Sequence, residues 1–151
     1  MLSPYVIVQG VPVPRKLARL MRRLLADSGA RLQSCYRGDD ARALLNRYGH
    51  SSQQQLWDGW VHRRPGFNPA NPPGHSTHEL RSDGVAYPHI PSGHRLVWWQ
   101  VGIDLDDGHV RRFIAAAKRR GCKVWQPYPD GREFHHVNFR VAPPKRWWGV
   151  R

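Results

Sequence analysis

Residues 97–105, Val-Trp-Trp-Gln-Val-Gly-Ile-Asp-Leu, are the most strand-like run in the chain. Apolar, aromatic and β-branched residues dominate it, and period two puts Val101, Ile103 and Leu105 on one face. Gly102, Asp104 and Asp106 then share the other. Asp106 or Asp107 can cap the following helix, whose apolar stripe of Val110, Phe113, Ile114 and Ala117 ends at Gly121. That leaves Asp104 with no local structural task. Two further strands follow, over residues 122–126 and 134–141, joined by the turn signal Pro129-Asp130-Gly131. The second half therefore reads β-α-β-β, and the expected class is α+β: a small central antiparallel sheet packed with helices.

Upstream, Pro14 stands where a helix would start. Leu17, Leu20, Met21, Leu24 and Leu25 recur at helical spacing up to Gly29. Arg15, Lys16, Arg19, Arg22 and Arg23 form the opposite face, read as solvated. A strand is expected over residues 30–36. A helix capped by Asp39 or Asp40 should follow and end near Gly49. Another, capped by Ser51 or Ser52, should reach about His62 with Leu56, Trp57 and Trp60 turned inward. Residues 65–91, rich in Pro and Gly, read as a long loop, and loops of that length in a compact domain are often functional. The last residues, 142–151, read as a tail or linker start. The expectation is one domain over residues 1–151.

Lys plus Arg is 24 and Asp plus Glu is 11, a net charge of +13 in 151 residues. Such a chain attracts polyanions: nucleic acid, acidic lipid or acidic cell wall alike. With 40% hydrophobic residues and seven tryptophans, it can pack a core, which argues against wholesale disorder. No apolar run approaches the roughly 20 residues of a membrane span, and the start lacks the order of a signal peptide. A soluble product made in the cytoplasm is expected. Two cysteines exclude a disulfide scaffold or a thiolate zinc cage. A metal site would have to use His and carboxylate.

Four segments carry residues suited to such a site: Ser34-Cys35-Tyr36-Arg37, residues 74–79 (GHSTHE), residues 102–106 (GIDLD) and residues 133–136 (EFHH). A catalytic zinc takes three protein ligands and keeps one position open, with a separate carboxylate such as Glu133 as general base. His136, between apolar neighbours in a strand, fits a ligand or a satisfied core histidine better than a surface one. In a regular strand Glu133 and His136 would face opposite ways, so Glu133 belongs to the preceding turn or to a bulge. An arrangement with Glu133 and His135 on one face stays open.

The order S-x-Y-R, S-x-H, G-x-D and E-x-x-H resembles the zinc D-Ala-D-Ala carboxypeptidases and L-Ala-D-Glu peptidases of peptidoglycan, including phage endolysin peptidase domains. The motifs run from Ser34 to Phe139, within a core of residues 31–141. The resemblance implies a zinc site on the open face of the sheet, with His78, Asp104 and His136 as ligands. It implies Glu133 as catalytic base and Arg37 as the holder of a substrate carboxylate or the developing oxyanion. Ser76 would hydrogen-bond substrate, and His135 would lie beside it. The bond cut would be D-Ala-D-Ala, L-Ala-D-Glu or a crosslink, in phage-induced lysis of the host wall. Three departures stand out. Residues 83–100 are inserted between His78 and Asp104, which leaves His75 and His94 as rival ligands to His78. His135 occupies a place where the family commonly has Trp, and metal binding, transition-state stabilisation and packing all stay open for it. The third is the alignment around Arg37.

Two other functions compete. A nucleic-acid-binding protein would use the basic first helix and exposed tryptophans, and a wall-binding module of the same fold would lack catalysis. A pure binder has no use for an unpaired acid among gathered histidines. Under the peptidase reading, the basic face serves delivery to anionic cell-wall polymers.

Overall fold

The computed structural model describes residues 5–38, 42–73, 76, 78, 99–128 and 130–141. The apolar opening forms a hairpin of Tyr5–Val8 (β1) and Val11–Pro14 (β2), closed by Gln9 and Gly10 at φ 51° and 78°. Two successive positive φ values give the tight turn whose twist matches paired strands. The hairpin was not legible in the sequence because Pro12 and Pro14 lack ladder donors and disguise a strand. Gln9 puts its left-handed position to use: its Oε1 accepts from the Leu32 backbone at 2.6 Å.

Helix α1, Arg15–Ser28, begins after Pro14 as expected. It stops at Gly29, whose φ of 72° lets its N–H reach the Leu25 carbonyl at 2.8 Å. Its leucines and Met21 are buried, while Arg15, Arg19, Arg22 and Arg23 are exposed. The next strand is shorter than expected, only Leu32–Ser34 (β3). Helices α2, Arg42–Arg47, and α3, Gln53–Val61, follow. Ser52 caps α3 in a reciprocal box with Gln55, as its position predicts. Trp60, expected inward, is 41% exposed. Gly59 instead forms the packing face, where the Phe67 ring lies so close that a Cβ would meet it at 2.1 Å.

Strand β4, Trp99–Leu105, leads through a 3-10 turn at Asp107–His109 to helix α4, Val110–Arg119. Neither Asp106 nor Asp107 caps the helix with its side chain. The strand ends at Leu105, so Asp106 does not share the face of Asp104. It accepts from the Arg31 backbone at 2.6 Å and from His109 Nδ1 at 2.5 Å. Strands β5, Lys123–Trp125, and β6, His136–Val141, complete an antiparallel sheet of order β3-β4-β6-β5. The fold is α+β.

Ile103, Leu105 and Val137 on one face of this sheet join a core with Leu17, Met21, Leu24, Phe113 and Ala117 from α1 and α4. Phe113 is fully buried, and truncation to Ala would cost about 3–5 kcal/mol. Alternation sends Asp104 and His136 to the other face, where they are direct partners across β4 and β6. Among the described residues, no helix is long and apolar enough to cross a membrane.

Candidate metal centre

Asp104 and His136 meet because the β4–β6 register pairs them. His78 comes from within the long loop that follows α3. Its backbone N–H bonds the Ser76 hydroxyl at 3.2 Å, and its carbonyl accepts from the Arg37 N–H at 2.9 Å. One donor atom from each of His78, Asp104 and His136 lies within 4.8 Å of the others. All three residues are buried, at 4%, 8% and 9% exposure. Together they could hold a metal ion.

The hydrogen bonds fix the ring proton of His78. His78 Nδ1 lies 2.8 Å from the Cys35 carbonyl, which can only accept, so Nδ1 carries the proton of the neutral ring and Nε2 turns toward the centre. His136 stands between two oxygens, with Nε2 3.0 Å from Asn138 Oδ1 and Nδ1 2.9 Å from Asp104 Oδ1. His78 Nε2 is 3.1 Å from His136 Nδ1 and 3.5 Å from Asp104 Oδ1. A cation among these three atoms would stabilise their close approach. Their separations match the edge of a tetrahedron with bonds of about 2.0 Å, about 3.3 Å.

Burial, aided by the Arg37 charge, pushes the His78 pKa down to about 4, so a proton is a poor occupant at neutral pH. Burial alone would raise the Asp104 pKa. Interactions with His78, His136 and Arg37 outweigh it and hold the carboxyl well below the usual range. The set is two imidazoles and a carboxylate, chemistry suited to zinc and its neighbours.

Arg37 ties the centre together. Its Nη2 donates to Asp104 Oδ2 at 2.5 Å and its Nε to Ser34 Oγ at 2.9 Å. Oδ1 of Asp104 is thereby left toward the histidines. A register shift between Leu32 and Ser34 makes this possible, because the extra residue brings Ser34 opposite Asp104 while Leu32 still pairs with Leu105 in the core. Desolvation lowers the Arg37 pKa, countered mainly by Asp104 and, among others, by Glu133. Glu133 belongs to the same charge balance around Arg37. It is exposed, in the turn before β6, at φ 49°, with its carbonyl accepting from His136 N at 2.8 Å. That is the turn placement the sequence requires.

His135 Nε2 lies 4.0 Å from Asp104 Oδ1 with its side chain 44% exposed, at the rim of the site. Ser76 is buried against the His78 backbone. His75 and His94, the rival ligands, lie outside the described residues, as do Asp39, Asp40 and the tail. Asn138 and the Cys35 carbonyl are functional partners that sequence reasoning missed. An Asn two residues after His136 on the same strand face was the available signal for the first. The chain matches no family model, no curated protein and no solved structure.

Proposed function

We propose that the protein is a metal-dependent hydrolase, and specifically a zinc peptidase that cuts a peptide bond in the stem peptide or crosslink of peptidoglycan. The observation that carries this reading is the convergence of donor atoms from His78, Asp104 and His136 within 4.8 Å, with an exposed carboxylate, Glu133, in the turn before β6. The His78 ring proton points outward, to the Cys35 carbonyl, as the outer partner of a metal-binding histidine does. The order of the motifs, like that of the peptidoglycan peptidases, supplies the substrate class.

Zinc, when bound, supplies Lewis acidity at the scissile carbonyl and at water. Glu133 takes the proton of the attacking water and returns it to the leaving amine. Arg37 holds Asp104 in place and offers positive charge near the developing oxyanion. Ser76 and His135 stand on the substrate side in this reading, although the Ser76 hydroxyl already fixes the His78 backbone.

The exposed arginines and lysines of α1 and α4 serve delivery. Arg22, Arg23, Arg111, Arg112, Lys118 and Arg119 are all exposed on helices that pack the sheet face opposite Asp104 and His136. Anionic wall polymers can bind there while the metal centre stays open. Salt should weaken wall binding more than turnover of a small soluble peptide.

Digestion of purified peptidoglycan with mass analysis of the products tests the reading and identifies the bond. New peptide termini released by protein carrying about one zinc per chain are expected. Intact peptidoglycan, with tight binding to DNA, would instead favour a nucleic-acid-binding protein. The setting this function implies is phage-induced lysis of a bacterial host.

A further inference from the structure

The peptide group between Cys35 and Tyr36 is bound at both ends. Its N–H, on Tyr36, donates to the Pro12 carbonyl at 3.2 Å, and its C=O, on Cys35, accepts from His78 Nδ1 at 2.8 Å. A trans amide is planar and sends these two groups in opposite directions, so it forms a rigid strut between β2 and the ring of His78. Pro12 has no N–H to give a strand ladder, but its carbonyl accepts like any other. Tyr5 presses on the same unit, since its ring stacks on that of Tyr36 with centroids 4.1 Å apart and both residues are buried. The next amide completes the grip, with the Arg37 N–H on the His78 carbonyl at 2.9 Å.

Hydrogen bonds in series polarise one another. An amide that donates its N–H to Pro12 offers His78 a more strongly accepting carbonyl, which holds the Nδ1 proton outward and raises the basicity of Nε2, the atom turned toward the centre. We infer that the opening hairpin is the outer brace of the metal centre: the Pro12 carbonyl, relayed through the amide between Cys35 and Tyr36, sets the position and donor strength of His78. Residues 5–14 contain no His, Cys, Asp or Glu, yet through this relay they tune the metal. Pro12, Tyr5 and Tyr36 are positioning residues, since they act through His78. The inference rests on the metal-centre reading and goes beyond it, because the three ligands by themselves assign the hairpin no part.

The test replaces one amide by an ester. The α-hydroxy analogue of tyrosine in place of Tyr36 deletes the N–H and weakens the Cys35 carbonyl as an acceptor, while every side chain stays. The control is the α-hydroxy analogue of leucine in place of Leu32, whose N–H also ties β3 to the hairpin, at Gln9 Oε1, 2.6 Å away. Wild type and both esters are compared by urea unfolding without metal and by cobalt(II) affinity in chelator competition. Both esters should lower the urea midpoint, and only the one at Tyr36 should also lower cobalt affinity, by about tenfold or more. Unchanged affinity there, or an equal loss with the control, would overturn the relay and leave the centre standing. Hydrogen exchange of the unaltered protein gives a second readout that needs no ester to fold. Coupling is reciprocal, so zinc should slow exchange of the Tyr36 N–H more than that of the Leu32 N–H, and equal slowing would overturn the relay as well. Wild type that takes up no cobalt, or takes it up indifferently to Asp104→Ala, would overturn the metal centre itself.

Discussion

Asn138 stands two residues beyond His136 on β6, and its Oδ1 lies 3.0 Å from His136 Nε2. Side chains two apart share a strand face, so the amide can hold the ring with Nδ1 toward Asp104. Metal sites depend on such outer partners for tautomer and ring angle. Asn138→Leu should keep the fold and lower zinc affinity about 10- to 100-fold. Chelator competition checks it, and unchanged affinity would mean that the ring holds its orientation by packing alone.

The metal-free protein should lose stability in mild acid. Burial depresses the His78 pKa from 6.5 in the unfolded chain to about 4 in the folded one. The neutral imidazole therefore contributes fully above pH 6.5, and its contribution falls as pH drops from 6.5 toward 4. The difference of 2.5 pH units corresponds to about 3 kcal/mol. Asp104, held low, adds a second loss as pH falls below the carboxylate range. Urea midpoints in chelator at pH 7, 5.5 and 4.5 measure this, and His78→Gln should flatten the slope in the upper window.

Glu133 allows activity and stability to be separated. A non-glycine residue at φ 49° carries strain of about 1 kcal/mol, which glycine avoids. Glu133→Gly should leave thermal stability unchanged or slightly higher, while Glu133→Gln retains metal. Both should reduce peptidoglycan hydrolysis by about 10²- to 10⁴-fold if the carboxylate is the general base. Rates near wild type in Glu133→Gln would remove it from that role.

Gly59 tests how α3 supports the loop that leads to His78. A methyl group there would stand 2.1 Å from the Phe67 ring, so the ring and loop must shift. Gly59→Ala should destabilise the protein by about 1–3 kcal/mol despite its better helix propensity. The companion Phe67→Ala makes room, and the double variant should recover part of the loss in urea unfolding. Equal additive losses would place the helix and ring in separate units.

Periodicity alone was enough for the elements that bury one face. The stripe from Leu17 to Leu25, bounded by Pro14 and Gly29, is α1, and the alternation of Ile103 and Leu105 opposite Asp104 is β4. These are readable because each side chain is sorted by its own contact with core or water. Trp60 failed that logic, since the inward position near it goes to Gly59 beneath a ring eight residues away. The opening hairpin failed it too, because its prolines hide the ladder.

The sequence by itself determined the class of the fold, the charge and the residue types able to bind a metal: two histidines and an acid with no local task. Only the tertiary structure decided that they converge. His78 and Asp104 are joined through Arg37, Asp104 and His136 through strand register, and the two rings are held from outside by the Cys35 carbonyl and the Asn138 amide. Hydrogen bonds between residues tens of positions apart have no period. They exist only once burial has set the distances.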